Sequence, residues 1–159
     1  MTRKEQYNQL ILQIAELIKD ETNLVGILAN VSAALHDTFP ERFFWVGFYL
    51  QENGNMLRLG PFQGSVACYV IPFGKGVCGK TWEEGCTLIV PDVEKFPGHI
   101  ACSSLSRSEI AVPMYDDSHT FHGVLDIDSI QLNDFNEDDK EGLERIIELL
   151  MAETHDLFQ

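Results

Sequence analysis

The hydrophobic period of this chain changes twice, and those changes restrict its fold more than any single motif does. From Leu10 to Leu35 the apolar residues recur at helical spacing. Leu10, Ile11, Ile14, Leu17 and Ile18 make one stripe, and Leu24, Ile27, Leu28, Val31, Ala34 and Leu35 make a second. The break near Glu21 to Asn23 separates two amphipathic helices, and Pro40 closes the second. From Phe43 to Leu50 the residues are aromatic and β-branched and apolar on both faces, as in a central strand. Glu52-Asn53-Gly54-Asn55 is a hairpin turn signal, and Met56 to Gly60 forms the returning strand. Ser108 to Met114 and Phe121 to Ile127 read as a second strand pair joined through Asp116-Asp117-Ser118. The helical period returns after Asn136, an N-cap with acids in the first turn, and Leu143, Ile146, Ile147, Leu150 and Met151 form its apolar face.

Between the two strand pairs, Pro61 to Arg107 holds most of the glycines and prolines. Only short pieces read as regular: strands at Cys68 to Ile71 and Thr87 to Val90, and a helix at Gly76 to Glu83. A long glycine-rich connection inside a compact domain is usually functional. The sequence therefore implies an α+β fold: an antiparallel sheet, helices on one face, and a pocket under elaborated loops on the other. The 159 residues are expected to form one domain, long enough for a hydrophobic core without staples. No stretch has the apolar length of a membrane span, and the polar first residues lack a secretory pattern, so a cytoplasmic location is expected. A formal charge of −14 argues against a nucleic-acid partner. The acidic residues concentrate in Glu137 to Glu148 and at the C-terminus, which reads as a solvated helix face.

The chemistry-bearing residues cluster in the irregular centre and the second strand pair. Of four cysteines, Cys86 reads as a small buried hydrophobe. Cys68, Cys78 and Cys102 lie among glycines and prolines, and no two are separated by two residues, so neither a zinc ribbon nor a thioredoxin-type pair is expected; the reading includes no metal and no cofactor. A loop thiol near a histidine can act as a nucleophile, and His99 lies three residues before Cys102. The remaining histidines, His36, His119, His122 and His155, have no such context.

Asp126 and Asp128 are two apart on a strand and so share a face; a strand end at Asp128 is the plainer alternative. Glu109 opens the neighbouring strand. Three acids converging there would repel one another, so that at least one holds a proton near neutral pH, as a general acid must. Trp45 and Tyr49 share one face with Gly47 between them, either as core or as a pocket wall, with Trp82 as another candidate wall. Gly74-Lys75-Gly76-Val77-Cys78-Gly79 lacks the spacing of a phosphate loop. The backbone N–H groups opening its helix suit a carboxylate instead.

The stretches Ile71 to Gly79, Val90-Pro91-Asp92-Val93, Phe96 to Cys102, Ser108-Glu109-Ile110 and Gly123 to Ser129 together resemble the free methionine-(R)-sulfoxide reductases, small enzymes of the GAF fold. The resemblance runs from about Phe43 to Phe135. It implies reduction of free methionine-(R)-sulfoxide, with Cys102 as the catalytic thiolate, Cys68 as the cysteine that resolves it by disulfide formation, and Cys78 in a secondary role. It further implies that Glu109, Asp126 and Asp128 are pocket carboxylates, that Trp45 and Tyr49 are aromatic pocket residues, that thioredoxin is the reductant, and that a homodimer is possible. Two departures stand out: Ser103 replaces an acid expected after the nucleophile, and Cys86 is extra. The competing expectations are a GAF-type ligand or redox sensor, and a thiol peroxidase for which the acids are incidental.

Overall fold

The computed structural model describes residues 1–158. Helices α1 (Arg3–Ile18) and α2 (Leu24–Thr38) precede strands β1 (Trp45–Glu52) and β2 (Met56–Gln63). The centre holds β3 (Val70–Pro72), α3 (Gly76–Glu84) and β4 (Leu88–Val90), then β5 (Ser108–Tyr115), β6 (Phe121–Ser129) and α4 (Glu137–Thr154) follow. The six strands form one antiparallel sheet in the order β3-β2-β1-β6-β5-β4. The two hairpins meet along β1 and β6, so the irregular centre crosses from one edge of the sheet to the other and leaves one short strand at each.

Alternation along the central strands assigns the two faces. Val46, Phe48, Ile110, Val112, Leu125 and Ile127 are buried against α1, α2 and α4, the main core. Trp45, Tyr49, Ala111 and Val124 point the other way, toward Val77 and Cys78 of α3 and Val90. The α+β arrangement, with helices on one face and loops on the other, is thus the one the periodicity implies.

The helix starts follow from local chemistry. Thr2 and Glu5 form a reciprocal capping box on α1, and Asn136 and Asp139 do the same on α4. Helix α3 starts after Lys75, which makes no side-chain cap. Its Gly76, with φ of +62°, takes a conformation that an L side chain adopts at a cost, and a Cβ there would press on Ile100.

Several boundaries differ from the sequence reading. The strand expected at Cys68 to Ile71 runs over Val70–Pro72, so Cys68 precedes it. Strand β6 continues through Asp128 to Ser129 rather than turning at the acid, because β1 and β5 pair with it on both sides. Asp139 is fully buried although its neighbours along α4 are acidic and largely exposed. It accepts hydrogen bonds from Tyr7 Oη at 2.6 Å, Arg3 Nη1 at 2.8 Å and Arg42 Nη2 at 3.0 Å. The solvated-face reading therefore fails at that position, since charge alone does not reveal partners brought from residues 3, 7 and 42.

Candidate functional site

Register across three central strands builds the floor of the pocket. Trp45 of β1 pairs with Asp128 of β6, which pairs with Glu109 of β5. One row along, Gly47, Asp126 and Ala111 pair likewise. The alternation places all of these on the loop face. Two acidic side chains in one strand and one in its neighbour thus converge without any loop having to position them.

Trp45, Tyr49, Ile71, Gly76, Val77, Cys78, His99, Ile100, Cys102, Ser103, Ser106 and the three acids line a single cavity, together with Val66 and Ala67. It leaves about 40 Å³ of positions for the centre of a water molecule. That is room for a few waters. Cys68 and Cys102 are joined by a disulfide at this wall, with Cα atoms 5.4 Å apart. Cys78 is a free thiol, 2% exposed. Cys86 is free and exposed, contrary to its sequence reading, because Gly85 ends α3 and turns the chain outward.

The electrostatics are those of acids denied water. Glu109 and Asp126 are each 5% exposed, and Asp128 is half-buried in the cavity wall. Burial raises the pKa of Glu109 well above the carboxylate range, and the charges of Asp126 and Asp128 raise it further. Asp128 moves the same way, through burial and then Asp126. Asp126 is also raised by burial, against hydrogen bonding from its neighbours, which favours its charge. Its Oδ1 is buried without a hydrogen-bond partner. The Cys78 thiol is pushed well up by burial and then by Asp126 and Glu109, so it is protonated at neutral pH. His99 lies with Nε2 3.8 Å from Glu109 Oε1, and burial lowers its pKa, opposed by Asp126.

Trp45 and Tyr49 both line the cavity and anchor its rim. Trp45 Nε1 donates to the Ser65 carbonyl at 3.0 Å, and the Tyr49 hydroxyl donates to the Cys68 carbonyl at 3.0 Å. The Trp45 ring stacks on Phe62 with centroids 5.1 Å apart. Gly47 permits that stacking, since a Cβ there would collide with Phe62 and the Trp45 ring. Gly47→Ala is expected to destabilise the protein by about 1–3 kcal/mol, measured by urea denaturation. Trp82 does not line the cavity; it stacks on Phe121 with centroids 4.7 Å apart.

The segment carrying Cys102 is held differently. Among the described residues, one backbone hydrogen bond reaches out of 97–106, from His99 N–H to the Phe96 carbonyl just before it, and another, from Cys102 N–H to the Ile100 carbonyl, closes within the segment. Its side-chain attachments are the disulfide, the His99–Glu109 contact and the packing of Ile100 on the pocket-face core. Few backbone ties of this kind mark the low-stability end of a structure.

Apart from Trp82, the sequence-predicted residues gather at one place: Cys78, Cys102, Glu109, Asp126, Asp128, Trp45 and Tyr49 line the cavity, and Cys68 is bonded to Cys102. The other histidines lie elsewhere, His122 on Asp116 at 2.9 Å and His119 stacked on Tyr115. Sequence reasoning did not find the apolar rim, Val66, Ala67 and Ile100, nor Ser106. The one available signal was their nearness in sequence to Cys68 and Cys102.

No protein-family model matches the chain. It is 54% identical over 149 residues to GAF domain-containing protein A of Dictyostelium discoideum, covering 94% of this chain and 92% of that one. It is 41% identical over 155 residues to the free methionine-R-sulfoxide reductase of Saccharomyces cerevisiae, covering 94% and 86%. The crystal structure of free methionine-R-sulfoxide reductase from Neisseria meningitidis, in complex with its substrate, superposes with a TM-score of 0.93 at 45% identity, covering 98% of this chain and 92% of that one. Similarity of this extent, over a pocket in which a cysteine pair stands beside three acids, shows that the chain belongs to the GAF-fold free methionine-R-sulfoxide reductase family.

Proposed function

We propose that this protein reduces free methionine-(R)-sulfoxide to methionine in the cytoplasm, using Cys102 as nucleophile and Cys68 as resolving cysteine. The observation that carries this reading is the Cys68–Cys102 disulfide at the wall of a cavity whose floor is Glu109, Asp126 and Asp128. The named activity of the yeast and Neisseria relatives supports it, and preference for the R epimer is taken from them.

In the reduced protein the Cys102 thiolate attacks the sulfoxide sulfur. A carboxyl group delivers a proton to the sulfoxide oxygen, and Glu109 and Asp128 are the donors whose pKa values are raised furthest. The oxygen passes to Cys102 as a sulfenic acid, and methionine leaves with its sulfur reduced. The Cys68 thiol then attacks the sulfenic sulfur, the S–S bond forms, and water is released. Thioredoxin, as a dithiol, restores both cysteines through a mixed disulfide.

The amino-acid part of the substrate has partners of both signs. The unpaired Asp126 Oδ1 suits its ammonium. The N–H groups of Gly76, Val77 and Cys78, left free by helix geometry at the start of α3, suit its carboxylate. Trp45 offers an apolar wall to the methyl and methylene groups. Reduction of the disulfide frees segment 97–106, so that the cavity widens to admit the substrate.

The direct test is a stereospecific assay on free and peptide-bound methionine sulfoxide with a thioredoxin system. The free R epimer is expected to turn over and the peptide-bound form to be refused; turnover of neither epimer would instead favour a sensor. Cys68→Ser is expected to yield one methionine per protein in a single-turnover experiment and then stall with thioredoxin. Continued turnover would remove Cys68 from the cycle.

Glu109→Gln separates catalysis from stability, because its two effects have opposite signs. A carboxyl group whose pKa is raised on folding costs stability above its unfolded value, near 4.5, and the cost disappears in acid where both states are protonated. The variant is therefore expected to melt higher than the parent at pH 7, with the gain vanishing below about pH 4. Its single-turnover rate is expected to fall by roughly 10²–10⁴, the usual worth of a positioned proton donor. An unchanged rate would transfer the proton role to Asp128.

A further inference from the structure

At the base of the cavity the Cys78 thiol, to which the proposed reaction gives no role, sits beside two of the pocket acids. Cys78 Sγ and one oxygen each of Glu109 and Asp126 all lie within 4.8 Å of one another. Cys78 stands on the first turn of α3, Glu109 on β5 and Asp126 on β6, so each is carried by regular structure rather than by the loosely tied segment 97–106. All three are at least nine-tenths buried. Asp126 Oδ1 is enclosed with no hydrogen bond. A buried carboxylate oxygen without a partner is costly, and a cation is the ligand that corrects it.

The donor set selects the ion. One sulfur and two oxygens exclude magnesium and calcium, which take oxygen alone. They suit a borderline first-row ion of the Zn²⁺ type, whose bonds of about 2.3 Å to sulfur and 2.0–2.2 Å to oxygen place tetrahedral ligand atoms about 3.5 Å apart. From their present separations of at most 4.8 Å the three atoms need to close by no more than about 1.3 Å to reach that spacing, and the cavity has room for water as fourth ligand. We infer that Cys78, Glu109 and Asp126 form a site for Zn²⁺ or a similar ion, which binds with release of protons. No motif signals it, because the ligands come from three elements and none of the usual spacings is present.

The disulfide makes a clean test possible. In the oxidised protein Cys68 and Cys102 are bonded to each other, leaving Cys78 in the cavity and Cys86 on the surface as the free thiols. Co²⁺ and Zn²⁺ are titrated into untagged, oxidised protein without added reductant, followed by absorption and calorimetry. One equivalent is expected to bind, with an ultraviolet thiolate-to-cobalt charge-transfer band and the intense visible bands of a tetrahedral ion. Cys86→Ser keeps the band. Cys78→Ser, checked for folding by circular dichroism, loses it, and Asp126→Asn weakens affinity at least tenfold. No uptake, a band that survives Cys78→Ser, or one that disappears in Cys86→Ser overturns the site. Neither substrate nor turnover enters this measurement, so its outcome is independent of the reductase reading.

Discussion

Cys102→Ser is expected to abolish turnover of methionine sulfoxide, with a residual rate at least about a thousandfold below the parent, at the limit of the assay. The serine hydroxyl occupies the same place on segment 97–106 but stays protonated at neutral pH and forms no sulfenic acid. Neither remaining pocket group takes over. Cys78 is held protonated by burial and by the acids beside it. Cys68 lies across the rim, and its carbonyl is fixed by Tyr49. The same variant cannot make the cross-link, so its segment 97–106 stays unpinned; its amides are expected to exchange as fast as those of the reduced parent, measured by hydrogen exchange. Multiple turnover in Cys102→Ser would end the assignment of the nucleophile.

Arg42→Met is expected to produce the largest loss of stability, about 3–5 kcal/mol, because it removes the main counter-charge from a buried carboxylate. For a chain of this size that corresponds to a fall in Tm of roughly 10 °C or more by calorimetry. Asp139 is fully buried, and Arg42 reaches both of its oxygens at 3.0 and 3.1 Å. Arg42 also holds the Asp134 carboxylate at 3.1 Å and its carbonyl at 2.7 Å. Its guanidinium lies over the rings of Phe39, Phe43 and Phe135, 5.1 to 5.6 Å from their centroids. Burial opposes the arginine's charge, but the two aspartates outweigh it and its pKa is raised. Asp139→Asn at the same hub is expected to cost less, since the amide keeps part of the hydrogen bonding and strands no buried negative charge. These partners pack with the helix-face core, so the single-turnover rate of folded Arg42→Met is expected to match the parent.

The fold was legible where the hydrophobic period was long and clean. The stripes of α1, α2 and α4 and the alternation of β1, β5 and β6 each determine an element and its buried face. The floor of the pocket was legible for the same reason: once Asp126 and Asp128 fall two apart on a strand beside Glu109, the pleat does the rest. The pairing of Cys68 with Cys102 was available only through family resemblance, since the two stand 34 positions apart with β3, α3 and β4 between them and no local rule sets that distance. Asp139 was misread because its partners come from the other end of the chain. Cys86 was misread because composition does not reveal which way a chain leaves a helix. The metal-ligand set was invisible for a related reason, as its members meet only after the sheet and α3 have packed.

The crossing of the central segment from edge to edge has a consequence for colloidal behaviour. Both outermost strands, β3 and β4, are three residues long, and β3 ends on Pro72, which offers no N–H. A neighbouring copy therefore finds only a three-residue ladder on each outermost strand, which disfavours fibril-like growth by strand addition there. The long β1 and β6, which would be the hazardous templates, are sealed in the middle against each other.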